Sequence, residues 1–225
     1  MGKALCRGIA VGMLGLVASM AWSGRAGALM IDVTVDSHAG PWAYNAGLNS
    51  TFTYGVGDYT APTVVSGADG FDFSAGNMFT IAYVSGLTDP FGISPAYDAA
   101  GDTGYDASNN GGSSGMFFPS LYVDSASYPV FLAAVIGVFT DGSGSIVGTP
   151  FAVNDLGTFT VPVGATQLQL GINDDIFSDN LGSLVMSVTG PTLAVPEPAS
   201  LALLAVGTAI GLLARHRALA RTTRP

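Results

Sequence analysis

Gln167-Leu168-Gln169-Leu170-Gly171-Ile172 alternates polar or small residues with large apolar ones at a strict period of two. Only an extended strand puts every second side chain on one face, so Leu168, Leu170 and Ile172 are expected to face a core. The signature returns along the chain. Met30 to Val35 is rich in β-branched residues, Phe79 to Val84 places Phe79, Ile81 and Tyr83 on one face, and Leu184, Met186 and Val188 repeat the pattern. Val130 to Thr140 is almost wholly apolar, as expected of a central strand, with a bend expected at Gly137. Clusters of Gly, Asn, Asp and Pro between these runs supply turns. No segment between them carries a capped stripe of period 3.6. The pattern predicts an all-β fold, and a β-sandwich is its natural outcome. Pro95 to Pro119 is the one long irregular stretch, and Asn109-Asn110-Gly111-Gly112-Ser113-Ser114-Gly115 has no side chain able to fill a core. A loop this long inside a compact domain is functional or disordered.

Both ends of the chain differ from this body. Lys3 and Arg7 precede an apolar run from Ile9 to Trp22, and Ala26-Gly27-Ala28 is a small-x-small cleavage site, with Arg25 close before it. That layout predicts a signal helix and a secretory signal peptide. The only cysteine, Cys6, leaves with the leader, so the mature protein is expected to have no disulfide and no Cys-ligated metal. At the other end Val195-Pro196-Glu197-Pro198-Ala199-Ser200 runs into an uncharged stretch, Leu201 to Ala214, followed by Arg215, Arg217, Arg221 and Arg224. As a helix, the sixteen residues from Ala199 to Ala214 would span ~24 Å. Leu193, Ala194 and snorkelling arginines extend this toward the ~30 Å of a hydrocarbon core. The basic tail stays on the cytoplasmic side, which puts the body outside, and the two prolines stop the helix from running back into the body.

This three-part terminus resembles the PEP-CTERM sorting signal of Gram-negative bacteria. The resemblance implies that an exosortase, a membrane protease-transpeptidase, recognises Pro196, Glu197 and Pro198. It further implies an inner-membrane-anchored precursor that ends at the cell surface or outside the cell. An ordinary tail anchor without processing is the alternative. The expected organisation is a signal peptide over 1–28, a β-sandwich over 29–190, and a sorting segment with a transmembrane helix over 191–225.

Charge narrows the partners. Every Lys and Arg lies in a terminal segment, with none between Ala26 and Ala214, whereas the body holds fifteen Asp and no Glu. Such a surface repels nucleic acid, phosphates and anionic lipid, and it suits a neutral ligand or a bound cation. Solubility alone is the simpler explanation for most of the fifteen. Asp also favours turns over strands, which agrees with a loop-rich sandwich.

The densest acidic stretch joins the last two expected strands. Asn173, Asp174, Asp175, Asp179 and Asn180 put five carboxylate or amide side chains into eight residues. Calcium takes six to eight hard oxygens from such a loop, and without a cation the carboxylates repel one another. A solvated, Asx-rich hairpin turn is the competing reading. The stretch resembles the C-terminal calcium loop of the galactophilic bacterial lectins of the PA-IL type, small jelly-roll β-sandwiches that hold sugar hydroxyls on a calcium ion. The resemblance implies a jelly-roll-like sandwich with metal ligands at Asp174, Asp179 and Asn180, and with carbonyls near Phe177 and near Asp89. Tyr97 and Asp98 lie where the sugar-contacting loop begins, and with Asp174 they would meet a neutral glycan or exopolysaccharide. The calcium loop is shorter here than in those lectins, and their sugar-contacting His and Gln have no clear match.

Catalytic residues are scarce. Asp102-Thr103-Gly104 spells an aspartic-protease triplet, but that chemistry needs two such carboxylates after apolar strands, and Asp141-Gly142-Ser143-Gly144 is not a second copy. A Ser-His-Asp triad would have to use His38, the only His of the body. Trp42 is expected to plug an end of the sandwich, whereas Tyr97 and Tyr105 stand equally for plugging and for stacking on sugars. The leading expectation is a non-catalytic, exported sandwich that binds calcium and a carbohydrate. A structural matrix protein without a small ligand and a paired-Asp hydrolase are the rivals.

Overall fold

A computed structural model describes residues 27–193 together with Thr208 and Ile210. The expected signal helix, the motif Pro196-Glu197-Pro198 and the expected transmembrane helix lie outside the described residues. Among those described, no helix is long and apolar enough to cross a membrane. The body forms a compact unit, Ala26–Leu193.

Its strands are β1 (Ala28–Asp36), β2 (Thr63–Ser66), β3 (Met78–Asp89), β4 (Asp102–Asp106), β5 (Phe131–Leu132), β6 (Val135–Thr140), β7 (Phe151–Ala152), β8 (Leu156–Thr160), β9 (Gln167–Ile172) and β10 (Leu181–Pro191). They make two four-stranded sheets, β1-β10-β3-β8 and β2-β9-β6-β7, and a small ribbon of β4 and β5. The pairing is nested and antiparallel: β1 with β10, β2 with β9, β3 with β8, β6 with β7. A long ribbon folded on itself gives this order, which is the jelly-roll form of the sandwich.

Period-two alternation places the core where expected. Leu168, Leu170 and Ile172 from β9 meet Leu184, Met186 and Val188 from β10 and Phe79 and Ile81 from β3, all fully buried. Val35 of β1 and Val65 of β2 join them. The sheet containing β6 is covered on its second face as well. The backbone of Gly40 and Pro41 crosses β9 there, where Gly171 has no side chain, and all six residues of β6 are buried. That double cover explains the long apolar run of β6.

The run is broken, but not at Gly137. Gly137 sits in the ladder between Leu170 and Phe151, and its missing Cβ leaves room for the Phe151 ring, which would lie 2.3 Å from such an atom. The break falls at Ala133, which adopts φ 62°. Asn173 holds it there: Ala133 N–H donates to Asn173 O, Asn173 N–H donates to Ala134 O, and Asn173 Nδ2 donates to Phe131 O at 3.0 Å. A partner forty residues away supplies these bonds, so nothing local announces the break. The stretch from Pro95 to Pro119, read as irregular, contains β4, which pairs with β5.

Trp42 plugs the fold as expected. It is fully buried, donates from Nε1 to Phe52 O at 2.7 Å, and meets the rings of Phe52, Tyr54 and Tyr122 edge-on.

Candidate functional site

The loop between β9 and β10 is locked from within and from outside. Asp174 Oδ1 accepts from the amides of Asp175 at 2.7 Å and Ile176 at 3.3 Å, which closes a tight Asx turn. Phe177 drives its ring into the aromatic cluster, against Tyr54 and Tyr59, and is fully buried. Asp58 then grips the turn from another part of the chain, accepting from Phe177 N at 3.1 Å and Ser178 N at 2.9 Å. Burial would raise the Asp58 carboxyl, but the Ser178 side chain and these amides outweigh it and hold it below the usual range. Val56 N–H donates to Asp175 O at 3.0 Å.

The glycine-rich stretch 109–115 also closes on this loop. Ser114 N–H donates to Asp175 Oδ2 at 2.7 Å, and a Cβ at Gly112 would fall 2.0 Å from the Asp175 carboxyl carbon. The segment without a core-filling side chain is therefore packed against a carboxylate. A cleft of about 110 Å³ remains, lined by Asp174, Asp175 and Asp179 together with Phe91, Tyr105 and Phe118.

Within it Asp174 is only 3% exposed, and its Oδ2 is buried with no hydrogen-bond partner. Burial, partly offset by the two backbone bonds and by the Asn180 side chain, pushes its carboxyl up to about 7. Asn180, 2% exposed, donates from Nδ2 to Ser37 O at 2.8 Å and leaves Oδ1 without a partner. The Asp179 carboxyl is also pushed up, by desolvation first and then by Asp58, Asp175 and Asp89. No Lys or Arg exists in the body to balance this group.

The structure gathers Asp174, Asp179 and Asn180, as the sequence suggested, but assigns other work to the rest. The Phe177 carbonyl accepts from Asn180 N–H inside the turn. Near Asp89, where the resemblance implied a backbone carbonyl, the Asp89 carboxylate accepts from the amides of Phe91, Ile93 and Ser94 and shapes its own loop. Tyr97 is joined to Thr88 by backbone bonds, and desolvation, Asp102 and Asp89 push its phenol up. Asp98 faces elsewhere: it caps Ala100 N and adds to the raised pKa of Asp155, which burial causes first. Among the described residues no group of three His, Cys, Asp or Glu side chains forms a ready-made metal centre. Any ion here would need amide, carbonyl or hydroxyl oxygens beside the carboxylates.

His38 pairs with Asp36 at 2.8 Å, and among the described residues no serine hydroxyl bonds to it. Asp102 lies on the β4 ribbon and accepts from Gly104 N. Asp58, Ser37, Ser114 and Gly112 were missed from the sequence because each reaches the loop across a long chain separation. Asp175 was visible in it but carried no separate role.

Residues 194–218 match the family model of the PEP-CTERM protein-sorting motif. No curated protein and no solved structure matches the chain. The motif marks an exported protein that is membrane-anchored before an exosortase processes it.

Proposed function

We propose that this chain delivers to the cell surface or extracellular matrix a non-catalytic sandwich that binds a divalent cation, calcium, through the loop before β10. The observation that carries the reading is the pair of buried oxygens without partners, Asp174 Oδ2 and Asn180 Oδ1, the first of them on a residue that lines the acidic cleft. A buried acceptor left unsatisfied costs roughly 1–3 kcal/mol. A hard cation with flexible coordination would remove that cost, and it would relieve the repulsion at Asp179. Asp174, Asn180 and Asp179 are the residues that would hold it. The Phe177 carbonyl, already accepting from Asn180 N–H, is a weaker candidate, and a carbonyl near Asp89 would be a further backbone oxygen for the ion.

The cleft also supports a ligand of neutral, hydroxylated character. Phe91 and Tyr105 offer apolar surface beside the carboxylates, and the body's acidity disfavours sulfated or phosphorylated glycans. A monosaccharide bound through the ion would have a Kd on the order of millimolar, or ~4 kcal/mol. A glycan array run with calcium and again with chelator tests this extension, and binding indifferent to chelator counts against it.

For the ion itself, the melting temperature should rise with calcium, because a ligand bound only to the folded state stabilises it. Asp174→Asn combined with Asp179→Asn should abolish that rise and leave the β-sheet circular dichroism intact. Equal melting of wild type in calcium and in chelator would return the body to a structural role.

A further inference from the structure

Among the described residues four buried side-chain atoms lack a hydrogen-bond partner: Asp174 Oδ2, Asn180 Oδ1, Ser37 Oγ and Gln169 Oε1. Gln169 stands apart, with its Nε2 3.6 Å from where a Cβ of Gly144 would lie. The other three belong together. Ser37 directly follows β1, and its carbonyl accepts from Asn180 Nδ2 at 2.8 Å. The Asn180 side chain interacts in turn with the Asp174 carboxyl. Ser37 is fully buried, and its amide donates to Gly182 O at 3.2 Å, so its backbone is fixed at the start of β10 with the hydroxyl enclosed beside it.

We infer that Ser37 Oγ is a further oxygen of the cation site, so that a bound divalent cation staples the end of β1 to the loop before β10. The inference rests on the cation reading of that loop. A carboxylate, an amide oxygen and a hydroxyl form a mixed set of hard oxygens, suited to calcium and poorly suited to soft metals. The set is drawn from segments 143 residues apart. A cation bound across them would close the seam between β1 and β10, two neighbouring strands that meet only when the whole body has folded. An interior water bridging the same three atoms is the competing occupant, and it predicts different behaviour.

The test uses the full chain in detergent, with calcium chloride alone as the probe. Wild type should melt higher in calcium, and the Ser37 amide should exchange its hydrogen more slowly. Ser37→Ala removes a buried hydroxyl that has no partner, so in chelator it should melt at the same temperature as wild type or higher. In calcium it should bind on the order of tenfold more weakly and lose the added protection at Ser37. Ser37→Cys keeps the side-chain volume but offers a soft sulfur, and it should lose calcium affinity in the same way. Two results would overturn the inference alone: full calcium affinity in both variants, or a loss of stability that is equal with calcium and with chelator. A wild type blind to calcium would overturn the cation reading and this inference with it.

Discussion

Asp174 holds one carboxylate oxygen on two backbone amides and leaves the other buried without a partner. The consequence is a pH dependence of definite sign. Burial lifts its folded pKa to about 7, above the ~3.9 of an unfolded Asp. The folded state therefore holds this proton more tightly. Its contribution to stability is fully present below about pH 4 and is lost as pH rises toward 7, an effect on the order of 3–4 kcal/mol. In chelator, wild type should lose melting temperature between pH 5 and pH 8, and Asp174→Asn should lose much less. Equal slopes in the two proteins would contradict the assignment. Gly112 makes the second prediction at this scale. A Cβ there would overlap the Asp175 carboxyl group, so Gly112→Ala should displace the loop around Ser114 and cost roughly 1–3 kcal/mol. Chemical denaturation would measure the cost, and an unchanged midpoint would mean that the loop does not rest on Asp175.

At the scale of elements, the acidic loop depends on a clamp. Phe177 is buried among Tyr54 and Tyr59, and Asp58 holds the amides of Phe177 and Ser178. Phe177→Ala should cost about 3–5 kcal/mol. Tyr54 also touches Trp42, the body's only tryptophan, so the change should alter its fluorescence. Unaltered emission would mean that the loop and the aromatic cluster are not coupled. The strands that alternation revealed, β1, β3, β9 and β10, have one face on the core, and a period of two is the direct record of that geometry. Short strands leave no such record. β7 has two residues, and β8, Leu156-Gly157-Thr158-Phe159-Thr160, points only Gly157 and Phe159 inward. β4 was hidden in a Gly/Asp-rich stretch because its pairing with β5 is exposed and nearly free of core contacts. In the candidate site, Asp174, Asp179 and Asn180 were legible because they are close in sequence. Ser37 and Asp58 were not, since only the folded chain brings them to the loop.

Across the whole molecule, the two ends of the body leave side by side. Ala28 pairs with Pro191, and Thr192 N–H donates to Gly27 O at 2.9 Å. Asp36 and Ser183 close the other end of the same pair of strands, next to Ser37 and the acidic loop. β1 runs nine residues between the two ends, and its eight steps span about 26 Å at ~3.3 Å per residue. Every Lys and Arg lies outside the body and all fifteen Asp lie within it, which divides sorting from any surface function. For the sorting step, Glu197→Ala should leave the full-length protein in the inner membrane, as followed by fractionation and immunoblot. Processing at the wild-type level would remove Glu197 from the recognition motif. The central claim concerns the ion, and a calorimetric calcium titration of wild type beside Asp174→Asn tests it most directly. The account predicts saturable binding at one site in wild type, with the heat lost in the variant. No binding by wild type, or equal binding by both proteins, would contradict it.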